Sequence, residues 1–186
     1  MDIRPTLAAP DDDPYLWLED IDGAGAVAWV ERQNAATLQR YGDASFARDR
    51  DALRLLLDSP DNLPYVRRRG AFLYNFWKDA GNPRGLWRRT TLASYRTDAP
   101  QWEVLLDVDA LSASEGEDWV WHGADTIPGT HDRAILHLSR GGGDAAVLRE
   151  FDLTTRTFVA GGFDLPEGKS GIDWLDRDTL LLASPL

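Results

Sequence analysis

The chain has 186 residues, the size of one ordinary domain or of one domain and part of another, which excludes a large self-contained multidomain enzyme. Its 31 acidic residues outnumber the 20 lysines and arginines, and the net charge of −11 argues against binding to a nucleic-acid backbone. A hydrophobic content of 43% is sufficient for a buried core, whereas the absence of cysteine excludes disulfides, thiolate zinc sites and thiol catalysis. With neither a signal-peptide pattern nor an apolar run of about 20 residues, the sequence predicts a cytoplasmic protein without a membrane partner.

Helical patterns dominate residues 1–60. After an aromatic-rich segment at residues 15–20, apolar residues at helical spacing predict a first amphipathic helix between Val27 and Tyr41. A second amphipathic helix is predicted over residues 45–58. The predicted boundary residues are Asp22 as N-cap, Gly42 after the first helix, and Ser59 with Pro60 after the second.

From about Leu63 onward the hydrophobic period changes to two, the period of a strand. The predicted strands cover residues 71–77, 86–92, 102–108, 119–127, 134–139, 145–153, 157–159, 172–175 and 179–183. Turn residues connect them, and no long amphipathic helix is expected between them. This pattern predicts an antiparallel meander and argues against alternating strand and helix units.

Tryptophan recurs in this meander at an interval that is typical of a propeller. Trp77, Trp121 and Trp174 are 44 and 53 residues apart, close to the roughly 40 to 50 residues of a four-stranded blade. The predicted fold is therefore mainly β with N-terminal helices. Residues 61–186 would form an incomplete β-propeller of about two to three antiparallel four-stranded blades, because closure typically requires four to eight.

Three groups of motifs follow one another along the chain. The first is the run DPYLWLED at residues 13–20, with Trp29-Val30, Gln33-Asn34 and Thr37 on the first predicted helix. The second is YNFW at 74–77 with NPRGLWRRT at 82–90 and WEVLLD at 102–107, and the third is LSRGG at 138–142 with EFDL at 150–153. In this order they resemble the N-terminal part of the prolyl oligopeptidase family of serine peptidases. Leu16 departs from the family pattern, in which arginine is common at that position.

The resemblance implies the first part of a two-part enzyme that hydrolyses short peptides after proline or, in related subfamilies, after other residues. In that family the N-terminal helices lie against a C-terminal α/β-hydrolase domain, and a seven-bladed propeller restricts access to the active site. The Ser, His and Asp of the triad belong to the C-terminal domain. Residues 1–60 would thus pack on a hydrolase domain as the partner, and residues 61–186 would gate entry. For this chain the resemblance implies no catalytic residue, no cofactor-binding residue, no metal ligand and no activity in isolation.

One segment comes close to two catalytic motifs without matching either. Gly168-Lys169-Ser170-Gly171 resembles G-x-S-x-G, but Ile172 stands at the second glycine position, and a strand is expected where the motif needs a helix. It also resembles the end of a phosphate-binding loop, but Phe163 stands where that motif has its first glycine. The segment is therefore interpreted as a turn between blades.

The three histidines, His122, His131 and His137, lack the spacing of a metal site. Ser139 shares a predicted strand face with His137, but no acid or oxyanion donor can be assigned to them. We therefore expect packed or hydrogen-bonded histidines and no triad.

Charged clusters and tryptophans complete the candidates. A solvated or inter-domain ion-pair role is expected for the basic cluster of Arg67, Arg68, Arg69, Arg84, Arg88 and Arg89. Solvated turns are expected for Glu115, Glu117 and Asp118, and for Asp11, Asp12 and Asp13. The eight tryptophans indicate core packing, and the alternative is a stand-alone β module that binds carbohydrate or peptide by ring stacking. The open edges of an incomplete propeller predict that the isolated chain associates.

Overall fold

The computed structural model describes residues 13–20, 22–59 and 61–184. These residues form two compact units that divide between Leu56 and Leu57. The predicted roles of Asp11, Asp12 and Pro60 lie outside the described residues. Within the described part of the chain, no helix combines the length and the apolar character that a bilayer crossing requires.

The first unit confirms both predicted helices. A 3-10 turn at Leu16–Glu19 precedes α1 (Ala24–Tyr41) and α2 (Ala44–Leu57). The predicted N-cap is wrong, because the first intrahelical acceptor is the carbonyl of Gly23, so Asp22 lies one residue too early. Gly42 does end α1, with its N–H donated to the oxygen of Leu38, but its φ of −84° is not left-handed.

The apolar sides of both helices are exposed. Side chains of the predicted α1 stripe such as Leu38 and Tyr41 are each 59% exposed, and Leu53 and Leu57 of α2 are also exposed. Ala26 is the buried residue of the two helices. An amphipathic helix is stable when its apolar face is covered, so these helices lack the packing their sequence specifies.

The second unit begins with two antiparallel sheets. The first has the order β1 (Arg67–Arg69), β2 (Phe72–Asp79), β3 (Asn82–Thr91) and β4 (Glu103–Asp107). The second contains β5 (Trp119–Thr126), β6 (Arg133–Arg140), β7 (Ala146–Asp152), β8 (Thr157–Phe158) and β9 (Asp164–Gly168), and both β8 and β9 pair with β7. A hairpin of β10 (Gly171–Asp176) and β11 (Thr179–Ala183) follows.

Every predicted strand is confirmed, but the sequence missed two strands and two short helices. The missed strands are β1, which consists of three arginines, and β9, which contains Pro166, and neither has an apolar alternation. Two short helices connect strands, α3 (Leu92–Tyr95) between β3 and β4 and α4 (Val108–Glu115) between β4 and β5. Since α4 has eight residues, the expectation of no long amphipathic helix among the strands holds. The first turn of α4 is capped by the Asp107 carboxylate, which accepts the N–H of Ala110 at 2.9 Å.

The sheets stack face to face with two hydrophobic clusters between them. The first cluster joins the first two sheets through Trp87 and Leu105 on one side and Leu136 and Phe151 on the other. The second joins the second sheet to the hairpin, where Trp174 packs with Ile135, Leu148 and other apolar residues. Core packing is confirmed for Trp87, Trp119 and Trp174, which are buried. Trp17 and Trp29, which the sequence assigns to helix packing, are 43% and 37% exposed.

Candidate functional site

A cavity of about 370 Å³ lies between the first strands of the two sheets. Its wall includes Arg67 and Arg69 of β1, Asn75 of β2, and Trp121 and His122 of β5. The remaining lining residues are mostly aromatic or small, namely Tyr65, Tyr74, Phe76, Trp87, Gly123, Ala124 and Thr126. The volume is within the range of small-molecule and peptide sites, so this cavity is the candidate binding site of the second unit.

Strand alternation places two arginines in the cavity wall. Arg67 pairs with Tyr74 and Arg69 with Phe72 across the ladder to β2, so their side chains share one face, and Arg68 lies on the other. The Nη1 of Arg69 donates to the backbone oxygen of Arg68 at 3.2 Å. Within the described residues neither Arg67 nor Arg69 makes an ion pair with a carboxylate.

The other members of the predicted basic cluster have different surroundings. Arg84 forms an ion pair with Asp118, and the Nε of Arg89 lies 2.7 Å from the Oε2 of Glu103. Both ion pairs lie within the second unit. Arg88 lies 4.3 Å from the ring centroids of both Trp77 and Trp102. Burial there lowers the pKa of Arg88 to about 10. The cluster therefore divides into paired, stacked and unpaired arginines.

A β-bulge in β5 places His122 at the cavity. The register with β6 shifts between Trp121 and Gly123, and Gly123 has a φ of 142°, which glycine adopts more readily than other residues. The Nε2 of His122 is hydrogen-bonded to the Oγ of Ser139 at 3.0 Å. Ser139 is fully buried, so its hydroxyl is not accessible to a substrate carbonyl.

The remaining histidines do not complete a triad with this pair. The Nε2 of His137 lies 2.7 Å from the Oδ2 of Asp125, so the only imidazole–carboxylate pair of the described residues involves a different histidine from the one that bonds Ser139. The ring of His131 packs against Gly70 instead, since a Cβ on Gly70 would lie 2.9 Å from it. Among the described residues no three His, Asp or Glu side chains lie close enough to hold a metal ion.

Ser170 lies in a turn between strands, as its sequence predicts. The turn joins β9 to β10, and Ser170 Oγ donates to Ser184 Oγ at 3.4 Å, while Lys169 lies 3.2 Å from Asp144. The nucleophile motif and the phosphate loop both need a helix after the turn, and a strand follows here.

Residues 116–118 form the expected turn and Glu115 and Asp118 are exposed, but the three carboxylates also make ion pairs that the sequence did not predict. Glu115 lies 2.9 Å from Arg149 and Glu117 lies 3.0 Å from Arg140, and Asp118 is paired with Arg84. These partners come from other strands, 23 to 34 residues away along the chain. Strand pairing brings Arg140 to Glu117, since Arg140 of β6 pairs with Trp119 of β5, and the other two ion pairs also join separate elements. No local sequence signal could have shown these pairings.

The fold and the cavity define a class of protein, a partial β-propeller in which the first two sheets stand as blades and the hairpin begins a third. Residues 9–184 match the family described as prolyl oligopeptidase, N-terminal beta-propeller domain. The chain belongs to this family. The family resemblance and the fold class predicted from the sequence are thereby confirmed.

Known relatives bear names of the same kind. The chain is 42% identical over 184 residues to the uncharacterized peptidase y4nA of Sinorhizobium fredii, covering 97% of this chain and 25% of the relative. It is 35% identical to the uncharacterized peptidase RP174 of Rickettsia prowazekii, covering 89% of this chain and 24% of the relative. The chain thus spans about a quarter of the length of the curated relatives it matches.

Two solved structures are similar to this one. A post-proline cleaving enzyme from Rickettsia typhi has a TM-score of 0.80 and 31% identity, over 91% of this chain and 26% of that enzyme. Oligopeptidase B from Leishmania major has a TM-score of 0.65 at 18% identity, over 90% of this chain and 23% of that protein. At that identity the second likeness supports the fold alone.

Proposed function

We propose that this chain forms the N-terminal helical segment and the first propeller blades of a serine peptidase that hydrolyses short peptides. In this proposal a following α/β-hydrolase domain supplies the triad, the propeller restricts access to it, and the chain itself supplies no catalytic residue. The observation that carries the proposal is the likeness to a post-proline cleaving enzyme, with a TM-score of 0.80 over 91% of this chain but 26% of that enzyme. A proline preference is proposed from that enzyme's name, and the cytoplasm remains the location predicted from the sequence.

Uncovered apolar surface at the helices supports the proposed hydrolase partner. Leu38 and Tyr41 of α1 and Leu53 and Leu57 of α2 are exposed, although their helical spacing is that of a buried face. A large exposed apolar surface marks an interaction site in a soluble protein. We propose that residues 1–60 pack on the hydrolase domain, which then covers this apolar surface.

The alternative of a carbohydrate-binding module has no supporting contact. The six tryptophans of the sheets each pack against or hydrogen-bond other protein groups, as in the stacking of Trp121 on Phe76 at 5.1 Å and the clamp of Trp77 and Trp102 on Arg88. Because these six rings contact other protein groups, they do not form the exposed row of rings on which a sugar would stack.

The test compares the full-length protein with the 186-residue chain on a chromogenic peptide ending in Gly-Pro and on its Gly-Ala counterpart. The full-length protein is expected to hydrolyse the proline peptide and to lose activity with a serine-directed phosphonofluoridate. The chain alone is expected to release no chromophore. Turnover by the chain alone, abolished by changing Ser139 or Ser170 to Ala, would contradict the proposed division of roles.

A further inference from the structure

We propose that the cavity between the first two blades binds a peptide carboxylate through Arg67 and Arg69. The inference rests on the proposed function in one respect, that the anion belongs to a peptide. It adds a specificity to that function, since peptides with a carboxylate near one end would bind better than their neutral counterparts.

Five arginines of the second unit have no carboxylate ion pair among the described residues, and of these only Arg67 and Arg69 line the cavity. Seven other arginines of the second unit have carboxylate partners, namely Arg84, Arg89, Arg133, Arg140, Arg149, Arg156 and Arg177. In a chain with a net charge of −11, carboxylates are abundant, yet none pairs with Arg67 or Arg69 within the described residues. Their guanidinium groups are left available for an external anion.

The cavity wall strengthens the positive potential at this point. Among its lining residues none is acidic, and Arg67 and Arg69 are its two arginines. The acidic neighbour in β5, Asp125, is hydrogen-bonded to His137 at 2.7 Å. Arg67 and Arg69 are two residues apart on one face of β1, so their Cα atoms are about 7 Å from each other. Both side chains can therefore reach one carboxylate. Guanidinium groups bind carboxylates with two parallel hydrogen bonds, which makes the pair a selective site.

An aromatic wall beside the arginines suits the rest of a peptide end. The rings of Phe76 and Trp121 stack at 5.1 Å, and Trp87 lies 5.2 Å from Trp121. An apolar surface next to a charged one fits a terminal residue, whose carboxylate faces the arginines while its side chain contacts the rings. The geometry therefore points to the C-terminal carboxylate as the group bound.

The experiment measures hydrolysis by the full-length protein of one short internally quenched peptide with a free C-terminus and of the same peptide amidated. A second pair, both amidated, carries Glu or Gln at the last position and tests a side-chain carboxylate as the source. The free acid is expected to have about a 10-fold lower KM than the amide, as for a charge-assisted hydrogen-bond pair. R67Q/R69Q should reduce this ratio to about 2-fold or less. Preference for the Glu peptide without preference for the free C-terminus would overturn the assignment to the terminal carboxylate.

A matched control separates the site from net charge. R68Q/R96Q removes the same two charges from exposed arginines that do not line the cavity, and it should keep the 10-fold ratio. Raising the salt concentration should also lower the ratio of the amide KM to the free-acid KM for the unaltered protein. This measurement tests the inference even if R67Q/R69Q does not fold. A ratio that R67Q/R69Q leaves intact, or one that R68Q/R96Q removes equally, would overturn the inference.

Binding without turnover keeps the two proposals distinguishable. If the full-length protein cleaves no peptide, the proposed function fails, but titration with the acid and amide peptides still tests the cavity. The signal is tryptophan fluorescence, since Trp87 and Trp121 line the cavity. Tighter binding of the acid, lost in R67Q/R69Q, supports the inference, and equal affinities overturn it. Displacement of the peptide by inorganic phosphate at equal concentration would assign the arginines to small anions and would also overturn it.

Discussion

The indole Nε1 of Trp174 donates a hydrogen bond to the backbone oxygen of Asp125 at 2.8 Å, across 49 residues of sequence. This bond joins β10, the start of the third blade, to β5 of the second. The Trp174 ring is buried and meets Phe163 edge-on at 5.9 Å between centroids. One side chain thus supplies both a polar and an apolar connection between successive blades.

Replacing Trp174 should separate these two contributions. We expect Trp174→Phe to lower the free energy of unfolding by about 1 kcal/mol through the lost hydrogen bond, and Trp174→Ala to lower it by about 3 to 5 kcal/mol. Urea denaturation measures both. Trp17→Phe is the matched control, because its indole donates to the oxygen of Pro14 at 3.0 Å on an exposed surface, and a change within about 0.5 kcal/mol is expected. Equal losses for Trp17→Phe and Trp174→Phe would contradict the role of Trp174.

Gly85 permits a close approach of β3 to β2. Its φ is 105°, and a Cβ at this position would lie 2.5 Å from Cζ of Phe76 and 3.0 Å from the oxygen of Trp77. We expect Gly85→Ala to lower the free energy of unfolding by about 2 to 4 kcal/mol, from backbone strain together with the steric clash. Thermal and urea unfolding measure the loss.

The control for Gly85 is Gly116→Ala. Gly116 has a left-handed φ of 68° at the end of α4, but a Cβ there would meet nothing within 4 Å. Only the conformational cost of about 1 to 2 kcal/mol is therefore expected. A loss for Gly85→Ala no greater than that for Gly116→Ala would show that the space around Gly85 is not limiting.

Asp79 should make stability depend on pH in the acid range. Hydrogen bonds from the Asn82 side chain and from the Trp77 indole hold the pKa of Asp79 below its usual value of 3.8. Because the folded-state pKa is depressed, the stabilisation is present above pH 3.8 and is lost as the pH falls through the folded-state value. Asp79→Asn leaves one acceptor oxygen in place of two, so one of these hydrogen bonds is lost. The free energy of unfolding should fall by about 1 kcal/mol at pH 7.

Urea unfolding at pH 7, 5, 4 and 3 tests this dependence. The difference between the unaltered chain and Asp79→Asn is expected to be constant down to about pH 4 and to shrink at pH 3. Asp98→Asn is the control, because it removes the same charge from an exposed side chain that makes no hydrogen bond in the described residues. It should change the free energy of unfolding by no more than about 0.5 kcal/mol. A difference that grows on acidification would contradict the lowered pKa.

The last strand of the described structure should cause self-association of the isolated chain. β11 pairs only with β10 among the described strands, and Leu181 and Leu182 are about half exposed. Unpaired strand edges with exposed apolar residues associate at micromolar concentration. Sedimentation velocity is expected to show dimers or larger species, and Leu181→Ser with Leu182→Ser should shift them toward monomer.

The control for this prediction is Leu63→Ser, which removes exposed apolar surface at a loop away from the strand edge. It should leave the association unchanged. A compact monomer of the unaltered chain would contradict both the prediction and the importance of the open edge.

Local patterns were sufficient to predict most of the secondary structure. A high content of strand-forming residues between turn residues predicted strands such as β2 and β6, each of which has three consecutive buried residues. The three arginines of β1 carry no such pattern, since this strand is held by backbone hydrogen bonds to β2 at a solvated edge. A strand of that kind is specified by its neighbour, and its own sequence could not reveal it.

The sequence by itself determined most of the helices and strands, the antiparallel meander and the family, because motifs and periodicity are properties of residues close together along the chain. Only the tertiary structure decided which arginines are paired and which two face a cavity. It also decided that Ser139 bonds His122 and not its strand neighbour His137. The physical reason is that these contacts depend on strand pairing, on sheet stacking and on a bulge in β5, which join residues separated by 14 or more positions.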